Sequence, residues 1–325
     1  MTRLAALLVA AIALLAVAQP ASTQTAARMH RVGVLWTTTA ADPLHPQVLG
    51  ALRAGLADGG LVEGRNLTFE HRHADGNLDR FPALAAELVQ AKPDLILAAS
   101  PLSIRAVRAA TASIPIVMIN GDPGMFVSLA RPGGNITGLV AFQAELAGKQ
   151  VELLKEAVPK LAKFAVLRNP TQPVHTAKLK EAEAVARALK LAIHVVEAQA
   201  PDDFEPAFAA MTRAGVGGLV VFADGTYFTN RARIAELALR HGLPAVFGSP
   251  GAAEAGGLIS YLPNREETYR RAASYIVRIL KGAHAGDLPI EQPTRFELSM
   301  NLKTARALRL TLPQALLVRA DKIIE

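Results

Sequence analysis

The chain has 325 residues, of which 51% are hydrophobic and 19% charged, and it carries no cysteine. That length can bury one large core or two moderate ones. The absence of thiols excludes disulfides, thiolate metal sites, a cysteine nucleophile and a lipid anchor on an N-terminal cysteine. The formal net charge is +7 at pH 7, but the Lys and Arg residues stand singly or in pairs such as Arg270-Arg271. With no long basic run and no interleaved aromatics, no nucleic-acid partner is expected.

In chain order, the first feature is a leader. Arg3 and the amino terminus form a short positive region, and Leu4 to Ala18 is then an unbroken apolar run of fifteen residues. A membrane span needs roughly 20, and Ala16-Val17-Ala18 supplies a small-x-small cleavage pattern before Gln19. The pattern predicts an export signal over residues 1–18, a flexible mature N-terminus over 19–28, and a mature protein located in the periplasm.

Short β-branched runs then alternate with amphipathic stretches. Strands are predicted over Arg31–Trp36, Leu67–His71, Asp94–Ala99, Pro115–Asn120, Ile136–Phe142, Lys163–Arg168, Ala192–Glu197, Gly218–Ala223, Pro244–Phe247 and Leu258–Tyr261. Helical stripes between them recur at three and four residues, as in Leu49, Leu52, Leu56 and in Phe81, Leu84, Leu88. Runs such as Leu95-Ile96-Leu97 and Leu219-Val220-Val221-Phe222 are apolar on both faces, which suits parallel strands covered on both sides. The alternation predicts an α/β fold of doubly wound type. About ten strands suit two sheets better than one small domain, with the change of sheet expected near Arg131-Pro132-Gly133-Gly134-Asn135.

In open parallel sheets, ligands bind beyond the carboxyl ends of the strands. Those ends collect Trp36, Thr37 and Thr38; Ser100 and Pro101; Asn120 and Asp122; Asn169; Asp224; Ser249; and Tyr261. Ser, Asn and Asp also occupy such turns for conformational reasons. As one lining, however, these hydroxyls, amides, carboxylates and two aromatics suit a small polar organic ligand. Ser100-Pro101 reads as an N-cap with proline at the first helical position, and the free donors that follow suit a carboxylate. Asp122 or Asp224 would meet an ammonium group, and Trp36 and Tyr261 an apolar or aromatic body. Trp36 could equally be a core residue. Nucleophile elbows and phosphate- or dinucleotide-binding glycine loops are absent, so no cofactor is expected. His71 and His73 share a strand face but find no further ligand at metal-site spacing, so they are expected as an exposed edge pair.

Several longer blocks carry a resemblance. They include Arg31-Val32-Gly33-Val34-Leu35, Gly60 to Leu67, Ser113-Ile114-Pro115-Ile116-Val117 and Ser128 to Gly138. Lys149 to Val158, Arg231 to Leu237, Glu254 to Tyr261 and Gln292 to Leu308 continue the match. In this order the chain resembles the tryptophan/tyrosine-type substrate-binding proteins of ABC importers, which have the type I periplasmic binding protein fold. The resemblance implies two Rossmann-like lobes that close on ligand about a hinge. Lobe 1 would be residues 29–140 plus 264–290, and lobe 2 residues 141–263 plus 294–325. It implies a monomer that delivers a small molecule, such as an amino acid or related carboxylate, to permease subunits in the inner membrane. Asn120-Gly121-Asp122 and Asp224-Gly225-Thr226 depart from the usual family pattern at the expected site. Two alternatives stand beside this reading. One is a periplasmic sensor subunit of the same fold; the other is an α/β enzyme using Asp122 and Asp224 as acid and base.

Overall fold

The computed structural model describes residues 28–140 and 143–325. The leader and most of the expected flexible N-terminus lie outside the described residues. The first sheet holds β1 (His30–Trp36), β2 (Leu67–His73), β3 (Leu95–Ala98), β4 (Ile116–Gly121) and β5 (Ile136–Val140). These pair in parallel in the order β2-β1-β3-β4-β5. Helices α1 (His45–Asp58), α2 (Phe81–Gln90) and α3 (Pro101–Ala110) return the chain between them.

The chain then runs through α4 (Gln143–Ala157), β6 (Lys163–Arg168), α5 (Val174–Ala188), β7 (Ala192–Glu197), α6 (Phe204–Arg213) and β8 (Leu219–Val221). Next come α7 (Gly225–Thr229), α8 (Arg231–Arg240), β9 (Ala245–Phe247), β10 (Ile259–Pro263), α9 (Arg265–Leu280), β11 (Phe296–Asn301) and β12 (Lys322–Ile324). The second sheet orders as β12-β11-β10-β9-β8-β6-β7, with only β10 and β11 antiparallel. Read from β7 to β10, it repeats the winding of the first sheet.

The apolar periods explain which faces are buried. In α2 the buried residues are Phe81, Leu84, Ala85 and Leu88, one stripe at helical spacing, and each large side chain contributes about 1.5–3 kcal/mol on burial. Helix α9 starts on Asn264, whose side chain accepts from Glu267 N at 2.9 Å, with Glu266 and Glu267 in its first turn. Both features favour a helix N-terminus. Its buried face, including Tyr269, Ala273 and Ile276, joins the core formed by Val32, Val34 and Leu52 of the first sheet and α1. A separate core forms between α4, β6, β8 and β11.

Chain passages between the sheets do not fall where the sequence suggested. Gly133 and Gly134 do form a turn with positive φ, but the strand that follows, β5, pairs with β4. The change of sheet comes after Val140, because a turn signal marks a local break and not a change of core. The chain returns at Pro263–Arg265 and passes back after Glu291, which exchanges backbone hydrogen bonds with Gly138 and Val140. Asn264 N donates to Arg295 O at 2.9 Å, tying these two later passages together.

Candidate functional site

The carboxyl ends of both sheets face one cleft of about 210 Å3. Of the residues expected there, Trp36, Thr37, Thr38, Ser100, Pro101, Asn120, Asp224 and Ser249 line it. Asp122, Asn169 and Tyr261 do not. The Asp122 carboxylate turns back to accept from Gly124 N at 2.9 Å. Asn169 is buried behind the wall, its amide on Asp224. The Tyr261 ring stacks on Phe296 at 5.7 Å, and only its carbonyl turns inward, accepting from Gln150 at 3.2 Å.

On the first-sheet side, Trp36 serves both roles left open by the sequence: it is 5% exposed, belongs to the core and still borders the cleft. Its indole N–H donates to His71 Nδ1 at 2.9 Å, so no donor remains for a ligand. Tyr269 stacks on it at 6.2 Å and His45 lies 4.5 Å away. His71 and His73 are therefore half-buried partners of the indole and of the Thr38 carbonyl, not an exposed pair. Burial, and next His73, hold His45 and His71 below the usual imidazole range. Ser100 caps α3 in a reciprocal box with Ser103, and Pro101 opens the helix. Asn120 adopts φ of 60° at the end of β4, a conformation Asn tolerates better than most residues.

The other wall carries a buried polar network. Asp224 caps α7, one oxygen accepting from Thr226 N at 2.8 Å and Tyr227 N at 3.2 Å, the other from Asn169 at 3.3 Å. Burial raises its carboxyl above the ordinary range, while these donors and Lys178 oppose the shift. Lys178 is 3% exposed, donates to Ala223 O at 3.1 Å and lies 5.7 Å over Phe222. Burial pushes its ammonium down to about 7, against the pull of Asp224. His175 accepts from Asn169 N on Nδ1 at 3.0 Å. Its Nε2 must then carry the proton donated to Ala223 O at 3.0 Å.

The walls also touch. Asp42 meets Arg231 at 3.4 Å, with side chains 7% and 13% exposed, and Arg231 stacks over Phe228 at 4.8 Å. A Cβ on Gly225 would lie 3.0 Å from Leu78. Among the polar lining residues that escaped the sequence reading are Asp42, His45, Gln150, Lys178 and Arg265. Arg265 had a readable signal, since β10 runs two residues past Tyr261 to Pro263, and Arg265 follows the helix cap Asn264 just beyond that end. Lys178 had none, being a charged residue on the buried face of a helix.

Two doubly wound sheets whose carboxyl ends enclose a lined cleft define the two-lobed type I periplasmic binding protein fold. The chain belongs to the ABC transporter substrate binding protein family, whose model matches residues 38–324. A curated relative, the tyrosine-binding protein of Clostridioides difficile (strain R20291), is 27% identical over 258 residues, spanning 78% of this chain and 74% of that protein. A conserved domain protein from Vibrio cholerae superposes with a TM-score of 0.83 at 24% identity, covering 91% of this chain and 100% of that one. The ABC domain from Streptococcus pneumonia in complex with L-Trp gives a TM-score of 0.82 at 22% identity, with the same coverage.

Proposed function

We propose that this protein is exported through its N-terminal signal, captures an amino acid or related carboxylate between its lobes, and delivers it as a monomer to an ABC permease. The lobes would be residues 29–140 plus 264–290 and residues 141–263 plus 294–325. The separate cores support this division, α9 packing with the first sheet and β11 with the second. The observation that carries the reading is the cleft itself, polar at strand ends, apolar between them, and bordered by both sheets. The names of two relatives, one a tyrosine-binding protein and one an L-Trp complex, support the ligand class.

A binder is favoured over an enzyme because Asp224 and Ser100, the carboxylate and hydroxyl at the strand ends, are already engaged. Asp224 is a helix cap and Ser100 closes a capping box, so neither hydroxyl nor carboxylate is paired as nucleophile, acid or base. A thermal-shift screen of amino acids, organic acids and sugars tests the proposal. At a hundredfold excess over Kd, mass action adds about 2.7 kcal/mol, a rise of several degrees. Amino or organic acids should shift the melt and change Trp36 emission. A shift with sugars alone would overturn the ligand class.

A further inference from the structure

Resting on the cleft as the ligand site, we propose that its ligand is an organic monocarboxylate with an apolar body and no ammonium group. The carboxylate is held between the Arg265 guanidinium and the Ser249 hydroxyl.

Apart from His45, the charged side chains lining the cleft are Asp42, Lys178, Asp224 and Arg265. Three of them are matched. Asp42 accepts from Leu44 N at 2.9 Å and faces Arg231. Asp224 has both oxygens hydrogen-bonded and lies in the field of Lys178. Lys178 in turn donates to the Ala223 carbonyl. Arg265 is the exception, with no carboxylate partner among the described residues and a buried Nη1 that donates to nothing. Ser249 is 1% exposed, lines the same cleft, and its Oγ is also unpartnered. A buried guanidinium nitrogen and a buried hydroxyl without partners are costly alone. A carboxylate accepts from both and neutralises the one unmatched charge.

The same accounting disfavours an α-ammonium group. A zwitterion would bring a cation into a cleft whose two carboxylates are already satisfied, and its desolvation would go uncompensated. The rest of the lining, including Leu78, Phe81, Ile119, Leu146 and Phe228, suits an aliphatic or aromatic body. Arg265 opens α9, which packs with the first sheet, whereas Ser249 follows β9 of the second. An anion held by both therefore bridges the two walls.

Calorimetric titration with matched pairs tests this: phenylpropanoate against phenylalanine, and isocaproate against leucine. The deaminated acid of a pair should bind at least about tenfold tighter than its amino acid. Arg265→Gln should weaken phenylpropanoate binding at least about tenfold, and Arg265→Lys should restore part of the loss. Ser249→Ala should leave the ligand-free melting point unchanged or higher, since an unpartnered hydroxyl is removed, yet weaken the acid several-fold. Amino acids binding as tightly as their deaminated partners would overturn this inference and leave the cleft reading intact. Phenylpropanoate binding undiminished in folded Arg265→Gln would overturn the assigned anchor. Failure of both members of every pair would remove the monocarboxylate claim, and binding of sugars instead would remove the broader proposal too.

Discussion

His175 illustrates how one side chain sets a limit on pH. It is fully buried, and its Nδ1 must stay unprotonated to accept from Asn169 N. Burial, with Lys178 adding to it, pushes its pKa from 6.5 down to about 4. As pH falls, the unfolded chain binds the proton near 6.5 and the folded chain resists until about 4. The contribution is complete above pH 6.5 and is lost progressively toward pH 4, a loss of about 3 kcal/mol. Urea unfolding at pH 7 and pH 4.5 should show the parent losing more stability than His175→Gln. Equal losses in the two proteins would refute the role. The same residue scale contains Lys178, which makes its position against Asp224 part of one network with His175 rather than an isolated charge.

At the scale of elements, Gly138 fixes where the first sheet meets a chain passage. Its φ is +131°, and a Cβ there would sit 2.2 Å from the Met118 carbonyl oxygen. The pairing of β4 with β5 shifts register beside it, and its own carbonyl accepts from Glu291 N at 3.0 Å. Gly138→Ala should cost more than about 2 kcal/mol, read from denaturant melts, because the atoms it would meet, Met118 O and N, are backbone. Most strands were legible because β-branched, doubly apolar runs have few alternatives: Lys163–Arg168 and Ala192–Glu197 match the observed β6 and β7 end to end. β11 was not read, because Phe-Glu-Leu-Ser-Met-Asn mixes polar and apolar residues and becomes a strand by pairing with β10. The end of β10 was misplaced for a related reason, and Tyr261 stood in for Arg265. Strand-end hydroxyls could be read as a lining, since topology alone puts them there. Lys178 and Gln150 reach the cleft from helix faces, and that depends on how each helix rolls against its sheet.

For the whole molecule, the contact between Asp42 and Arg231 joins the two walls at a point where both side chains are nearly excluded from water. Breaking a buried pair by removing one partner is costly to the state that contains it. Arg231→Ala should therefore lower the population of the closed arrangement, enlarge the ligand-free radius of gyration in small-angle scattering, and weaken ligand binding about tenfold. An unchanged profile together with unchanged affinity would show that this pair does not govern closure. The bond between Asn264 and Arg295 has a mechanical consequence. Two chain passages pinned side by side should bend about a common axis and resist independent twisting, so any opening of the lobes is expected to follow one pivot. Arg265 is the next residue after Asn264 and should move little in such an opening, whereas the contact of Arg231 with Asp42 should part. On the anion anchor proposed above, Arg265 would then be in place before closure. Arrival should then depend on the open molecule, and residence time on the contact between Asp42 and Arg231.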